Sequence, residues 1–218
     1  MRAVLTGLCL LSALVAPGTS LQCQQCTSMN SNTCSSPPQE CQSLHTHCIS
    51  MLKETITGVG SSKMVTLIRS CGTNKHCDKV TSITAGSYHM MTMFKCCTKE
   101  NCNTQQMSMP RTETDVNGLS CPSCYSLSSH TCDRKENTTC KGAEDRCIEY
   151  DVTVKTGTME AKSAVHGCAT RNLCESKDNP AYYKDNYEMN FKCSSGTHPQ
   201  LGLFLLAVTG LIFLKVFS

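Results

Sequence analysis

The sequence predicts an all-β protein made of two small, disulfide-rich domains in tandem, and three observations predict it. Nineteen of the 218 residues are cysteine, with no tryptophan and only 5% aromatic residues. That is the composition of a fold held by covalent staples more than by apolar bulk. The cysteines also repeat: those at 23, 26, 34, 41, 48, 71, 77 and 96 recur at 121, 124, 132, 140, 147, 168, 174 and 193, always 97 to 99 residues later. Eight nearly equal offsets describe a duplicated module. Finally, the longer segments between cysteines alternate apolar and polar residues around glycine, the pattern of β-hairpins.

In chain order, Met1-Arg2, the apolar run Ala3 to Val15 and the small residues up to Ser20 read as a signal peptide over residues 1–20. The run is too short to span a bilayer, and the mature chain is expected to start at Leu21. That cut removes Cys9 and leaves 18 cysteines. An even number in an exported chain suits complete pairing in an oxidising compartment.

The first module is read over residues 21–103 and holds ten cysteines. Between Cys48 and Cys71, Thr55 and Ile56 on one side and Val65, Leu67 and Ile68 on the other flank a glycine-rich turn at Gly58 to Ser62, which reads as a hairpin. Residues 104–120 carry Pro110, Asn117-Gly118 and the charged run Arg111 to Asp115, which is linker composition.

The second module, 121–193, holds eight cysteines, and its central hairpin is clearer. Ile148, Tyr150, Val152 and Val154 alternate with Glu149, Asp151, Thr153 and Lys155 before Gly157 turns the chain back. Strict alternation describes a strand with one packed and one wet face. Modules this small have a marginal apolar core, which bridges contributing about 2–4 kcal/mol each make good.

Residues 194–218 are read as a signal for attachment of a GPI lipid. Leu201 to Leu214 is almost wholly apolar, and Ser194-Ser195-Gly196 upstream are three small residues. The polar spacer Thr197 to Gln200 is shorter than the usual ~8–12 residues, so the lipidated residue stays open between Ser194, Ser195 and Gly196. A short single-pass helix is the plainer alternative. The formal charge of +3 falls to +1 once Arg2 and Lys215 leave with the ends, and no basic cluster suggests a nucleic-acid partner.

The run Cys96-Cys97-Thr98-Lys99-Glu100-Asn101-Cys102-Asn103 closes the first module. Together with Cys23 and Cys26 three apart and the hairpins between, it resembles the Ly-6/uPAR family, the three-finger fold shared with snake neurotoxins. Eight cysteines alone permit about 105 pairings. The resemblance implies one: Cys23 with Cys48, Cys26 with Cys34, Cys41 with Cys71, Cys77 with Cys96 and Cys97 with Cys102. In the second module it implies Cys121 with Cys147, Cys124 with Cys132, Cys140 with Cys168 and Cys174 with Cys193. The family's closing pair is missing there, since Ser194 follows Cys193.

That combination is similar to a two-domain, GPI-anchored branch that includes gamma-type phospholipase inhibitors and leukocyte, sperm and epithelial surface proteins. The resemblance implies a protein on the extracellular face of the plasma membrane, or shed or secreted from it. Its work would be to bind a protein ligand through the finger loops, without catalysis or cofactor. Inhibition of a secreted enzyme such as a phospholipase and toxin-like modulation of a receptor channel are the alternatives.

Cys23-Gln24-Gln25-Cys26 and Cys121-Pro122-Ser123-Cys124 have zinc-knuckle or dithiol spacing, but an exported chain with paired cysteines favours structural disulfides and no metal. His45 and His47 could share one strand face, although surface histidines in a polar segment are the commoner case. No nucleophile elbow, metalloprotease helix or phosphate loop occurs. Asn137-Thr138-Thr139 is the one N-x-[ST] sequon, so Asn137 is expected to be glycosylated. Met90, Met91 and Met93 suit either an adaptable contact surface or gap-filling. Tyr182, Tyr183 and Tyr187, set among charged residues of the second module's third finger, are the preferred contact residues.

Overall fold

A computed structural model describes residues 20–58, 62–111, 113–133, 136–175 and 187–196. The first module contains β1 (Gln22–Gln24), β2 (Cys26–Met29), β3 (Pro38–Glu40), β4 (His47–Thr57), β5 (Ser62–Gly72), β6 (Val80–Ala85) and β7 (Tyr88–Cys97). The second contains β8 (Val116–Ser126), β9 (Glu136–Lys141), β10 (Arg146–Thr156), β11 (Met159–Ala169) and β12 (Tyr187–Ser194). A 3-10 turn at Asn74–His76 and the five-residue helix α1 (Arg171–Glu175) are the only helical pieces among the described residues.

The alternating segments form the hairpins they spell. β4 and β5 pair antiparallel from His47 opposite Gly72 out to Thr57 opposite Ser62, and β10 and β11 pair from Arg146 opposite Ala169 to Thr156 opposite Met159. The second hairpin closes through Gly157-Thr158, where Gly157 takes a φ of +61° that a residue with a Cβ adopts at a cost. Third fingers come from β6 with β7 and from β12 laid against β10. First fingers are β2 on β5 and β8 on β11.

Nine disulfides staple this framework. In the first module they join Cys23–Cys48, Cys26–Cys34, Cys41–Cys71, Cys77–Cys96 and Cys97–Cys102. In the second they join Cys121–Cys147, Cys124–Cys132, Cys140–Cys168 and Cys174–Cys193. The sulfurs form much of the buried base: Cys23, Cys41 and Cys48 make one cluster, and Cys121, Cys140, Cys147 and Cys168 with Leu119 make its counterpart.

Asn103, at the end of the closing run, explains its own presence. It is buried; its Oδ1 accepts from the Gln24 backbone N–H at 3.0 Å, and its Nδ2 donates to the carbonyls of Gln24 at 2.9 Å and Ile49 at 3.3 Å. A side-chain amide thereby completes backbone pairing between the chain's first strand and its central one, which buried backbone groups require. In the second module Gly196, three residues after the last cysteine, packs closely against Leu119 and Cys147. A Cβ there would sit 2.5 Å from Leu119 Cδ1 and 2.7 Å from Cys147 Sγ.

The segment 104–120 is bound at both ends and is not a free spacer. Arg69, only 4% exposed, donates through Nη2 to the carbonyls of Thr104 at 2.9 Å and Gln105 at 2.7 Å, and through Nη1 to Cys34 O and Gln24 Oε1, each at 2.7 Å. Met107 then plugs into the first module beside Leu52, Leu67 and Met93. Downstream, Val116 to Ser120 already belong to β8, and Gly142 N–H donates to Asp115 O at 2.9 Å.

The two modules share one sheet. Its order is β12-β10-β11-β6-β7-β4-β5-β2, because β6 of the first module pairs antiparallel with β11 of the second at Thr84 opposite Cys168 and Ile83 opposite Ala169. Ile83, Ala85, Tyr88 and Met90 from one module and Ile148, Val165 and Ala169 from the other form a single buried cluster across that junction.

Candidate functional site

Pairing with the second module leaves the first module's third finger spoken for. Its tip residue Tyr88 packs its ring 5.7 Å from that of Tyr125. The Ser82 backbone N–H donates to Thr170 Oγ1, and the Thr170 N–H returns a bond to Ser82 O, both at 3.1 Å. Glu144, at 3% exposure, accepts from Ser82 Oγ at 3.0 Å and Thr84 Oγ1 at 2.7 Å, and its other oxygen accepts from the Lys141 N–H at the end of β9 at 3.3 Å. A buried carboxylate is tolerable only with such donors around it. Thr84 Oγ1 also meets His89 Nδ1 at 3.0 Å. Burial is the largest influence on that imidazole and holds its pKa below the ordinary 6.5, with Glu144 pulling weakly the other way.

Apolar side chains are exposed at several of the remaining hairpin tips, as they are at Leu44 and Val116 away from the tips. Met29 at the end of the first module's first finger is 74% exposed, and Met159 at the tip of the second module's central finger is 76% exposed. Met64 and Leu127 stand similarly open on neighbouring tips. Met29 and Leu127 each follow the second cysteine of their module by three residues, so the duplication repeats an exposed apolar side chain at one place in the finger. Near Met29 and Met64 lies an open groove of about 610 Å³ lined by Asn32, Glu54, Lys63, Val65, Met109 and Arg111, with the Lys63–Glu54 ion pair of 2.9 Å in its wall.

The residues singled out from sequence fall in several places. Tyr182 and Tyr183 lie outside the described residues, and Tyr187 opens β12. Met90, Met91 and Met93 are buried, Met90 in the domain junction and Met93 beneath Met107, so they fill space. Asn137 is exposed on β9, opposite Pro122 of β8. Ser194 ends β12, with Ser195 and Gly196 following it. His47 Nδ1 contacts Thr46 Oγ1 at 2.8 Å. The sulfurs of Cys23, Cys41 and Cys71 gather within 4.8 Å, as do those of Cys121, Cys140 and Cys168, yet each belongs to a disulfide and offers no thiolate to a metal. No described helix is long and apolar enough to cross a membrane, and the apolar run 201–214 lies outside the described residues.

The u-PAR/Ly-6 domain model matches twice, over residues 19–105 and 117–198. The chain belongs to the u-PAR/Ly-6 family. Among its relatives, phospholipase A2 inhibitor NAI of Notechis ater is 27% identical over 190 residues, covering 85% of this chain and 92% of the inhibitor. The urokinase plasminogen activator surface receptor of Aotus trivirgatus is 30% identical over 148 residues, covering 65% of this chain and 40% of the receptor. The crystal structure of mouse TEX101 covers 80% of this chain and 98% of its own at 18% identity, with a TM-score of 0.39. As a u-PAR/Ly-6 protein of two domains, the chain presents loops on stapled β-scaffolds, and its relatives are named as inhibitors and receptors.

Proposed function

We propose that this u-PAR/Ly-6 protein is a non-catalytic, GPI-anchored binding protein of the cell surface that recognises a protein partner through its free finger tips. The observation that carries the reading is the exposure of Met29, Leu127 and Met159 on finger tips, with Met64 beside the groove. Loops held on a stapled frame can vary their side chains without cost to the fold, which suits exposed tip residues to contact with a partner. Tyr182, Tyr183 and Tyr187 would add contacts from the second module's third finger.

In this reading residues 1–20 are removed on export and the lipid is joined at Ser194, Ser195 or Gly196. Asn137 carries a glycan on an exposed strand. Treating expressing cells with a phosphatidylinositol-specific phospholipase is expected to release the protein, and retention on the cells rejects the anchor. Proximity labelling on those cells should recover a protein partner whose capture drops at least tenfold when Met29 and Met159 are both changed to Ser; unchanged capture rejects the finger-tip surface.

A second reading, inhibition of a secreted phospholipase A2, is favoured by the inhibitor relatives that align along both domains. Titrating the purified protein into a secreted phospholipase A2 assay tests it, and undiminished hydrolysis at micromolar protein sets it aside.

A further inference from the structure

Cys124–Cys132 and Cys26–Cys34 occupy the same place in the two modules, each closing a first finger with a sequence separation of 8. Their surroundings differ at one register position. Arg69 stands opposite Cys26, while His166 stands opposite Cys124. Arg69 gives its two terminal nitrogens to four fixed oxygens, while its Nε has no hydrogen-bond partner. His166 is buried, and a ring nitrogen lies within 4.8 Å of both Cys124 and Cys132 sulfurs.

The two ring nitrogens have different neighbours. Nε2 faces Asp151 Oδ1 at 3.4 Å, whereas Nδ1 is buried with no hydrogen-bond partner. A carboxylate acceptor assigns the imidazole proton to Nε2 and leaves the Nδ1 lone pair free. An unpaired buried nitrogen is costly and calls for an explanation. A carboxylate, an imidazole and a disulfide thus lie side by side, and these are the groups that move protons to and from a reacting thiol.

We propose that Cys124–Cys132 is a thiol-exchangeable disulfide, served by His166 as proton carrier with Asp151 as its positioning residue. An extracellular thiol reductant is the co-reactant. His166 takes the proton of the incoming thiol as its sulfur attacks Cys132, the residue flanked by exposed Thr131 and Asp133. A new bond forms between the reductant and Cys132, the Cys124–Cys132 bond breaks, and the departing Cys124 sulfur receives the proton held by His166. A second thiol then attacks the mixed disulfide. Two thiols become one disulfide, and their two electrons leave Cys124 and Cys132 as thiols.

The surroundings suit such an exchange. The base cysteines Cys121, Cys140 and Cys168 are fully buried, whereas Cys124 and Cys132 are both only partly buried. A short loop also contributes least to holding the unfolded chain, so opening it spares the fold. The released loop begins at Tyr125, which packs on Tyr88 and whose hydroxyl lies 3.4 Å from Ser87 Oγ, so the bond's state reaches the domain junction.

The test exposes the full disulfide-bonded protein to reduced glutathione at pH 7, quenches with an alkylating reagent and maps labelled cysteines by mass spectrometry. Cys124 and Cys132 are expected to be labelled at least fivefold faster than Cys26 and Cys34, the matched pair in the same molecule. His166→Gln is expected to bring that ratio near one without changing the Cys26 and Cys34 rate, and Asp151→Asn to lower it partway. Equal labelling of the two pairs in the unaltered protein overturns the proposal without need of any variant. A ratio unchanged in His166→Gln overturns the role of the imidazole.

Discussion

Replacing Gly167 by Ala tests the domain junction most directly. Gly167 lies on β11 where β6 of the first module arrives, and a Cβ there would overlap Thr84 O while standing 3.0 Å from Thr84 C and 3.1 Å from Ala85 Cα. All three opponents are backbone, so no rotamer change relieves them. Where space exists, Gly→Ala stabilises by about 0.4–1 kcal/mol through the unfolded chain, so the sign of the effect is itself informative. Forced into a packed site, the methyl costs about 1–3 kcal/mol.

If the strands part instead, the junction loses two neutral hydrogen bonds between Ser82 and Thr170 and two to the Glu144 carboxylate. At about 0.5–1.5 kcal/mol for each neutral bond and 1.5–3 for each charged one, the loss is roughly 4–9 kcal/mol. Overpacking is the cheaper outcome, so Gly167→Ala should destabilise by about 2–3 kcal/mol. Thermal unfolding and hydrogen exchange at Ser82, Thr84 and Thr170 read the effect. A melting temperature equal to or above the parent's, with exchange at those amides unchanged, refutes the shared sheet.

Arg69→Met removes a buried cation that holds four oxygens; it is expected to cost about 3–5 kcal/mol in denaturant unfolding and to open residues 104–107 to proteases. Asn103→Ala breaks three buried bonds to Gln24 and Ile49, and denaturant unfolding should show a loss of about 2–4 kcal/mol. His89 titrates below its ordinary 6.5 in the folded protein, chiefly because it is buried. The unfolded chain therefore binds the proton first, so the stability His89 contributes is complete above pH 6.5 and is lost as pH falls below it. The melting temperature should drop from pH 7 to pH 5, and His89→Asn should flatten that slope.

Much of this molecule is local in origin and therefore legible as a string. Alternating Ile148 to Lys155 spell a half-buried strand, Gly157 marks its turn, and the 97-to-99-residue cysteine offset states the duplication. Side chains that act across the fold were not legible. Nothing in their neighbourhoods says that Glu144 bridges to Ser82 and Thr84, or that His166 stands beside Cys124 and Cys132. The methionines at 90, 91 and 93 read equally well as surface or filler, because a thioether suits both.

The sequence by itself determined the local frame: hairpins, two modules and a repeated cysteine spacing. Hydrophobic alternation and turn residues act over a few positions, and the cysteine spacing recorded the repeat directly. Only the tertiary structure decided which fingers remain free. The first module's third finger is consumed by β6 pairing with β11, a choice made by backbone hydrogen bonds that any sequence can form. What selects that partner is shape and burial at long range: the missing Cβ of Gly167, the apolar faces of Ile83 and Val165, and a carboxylate at Glu144 placed to receive two hydroxyls.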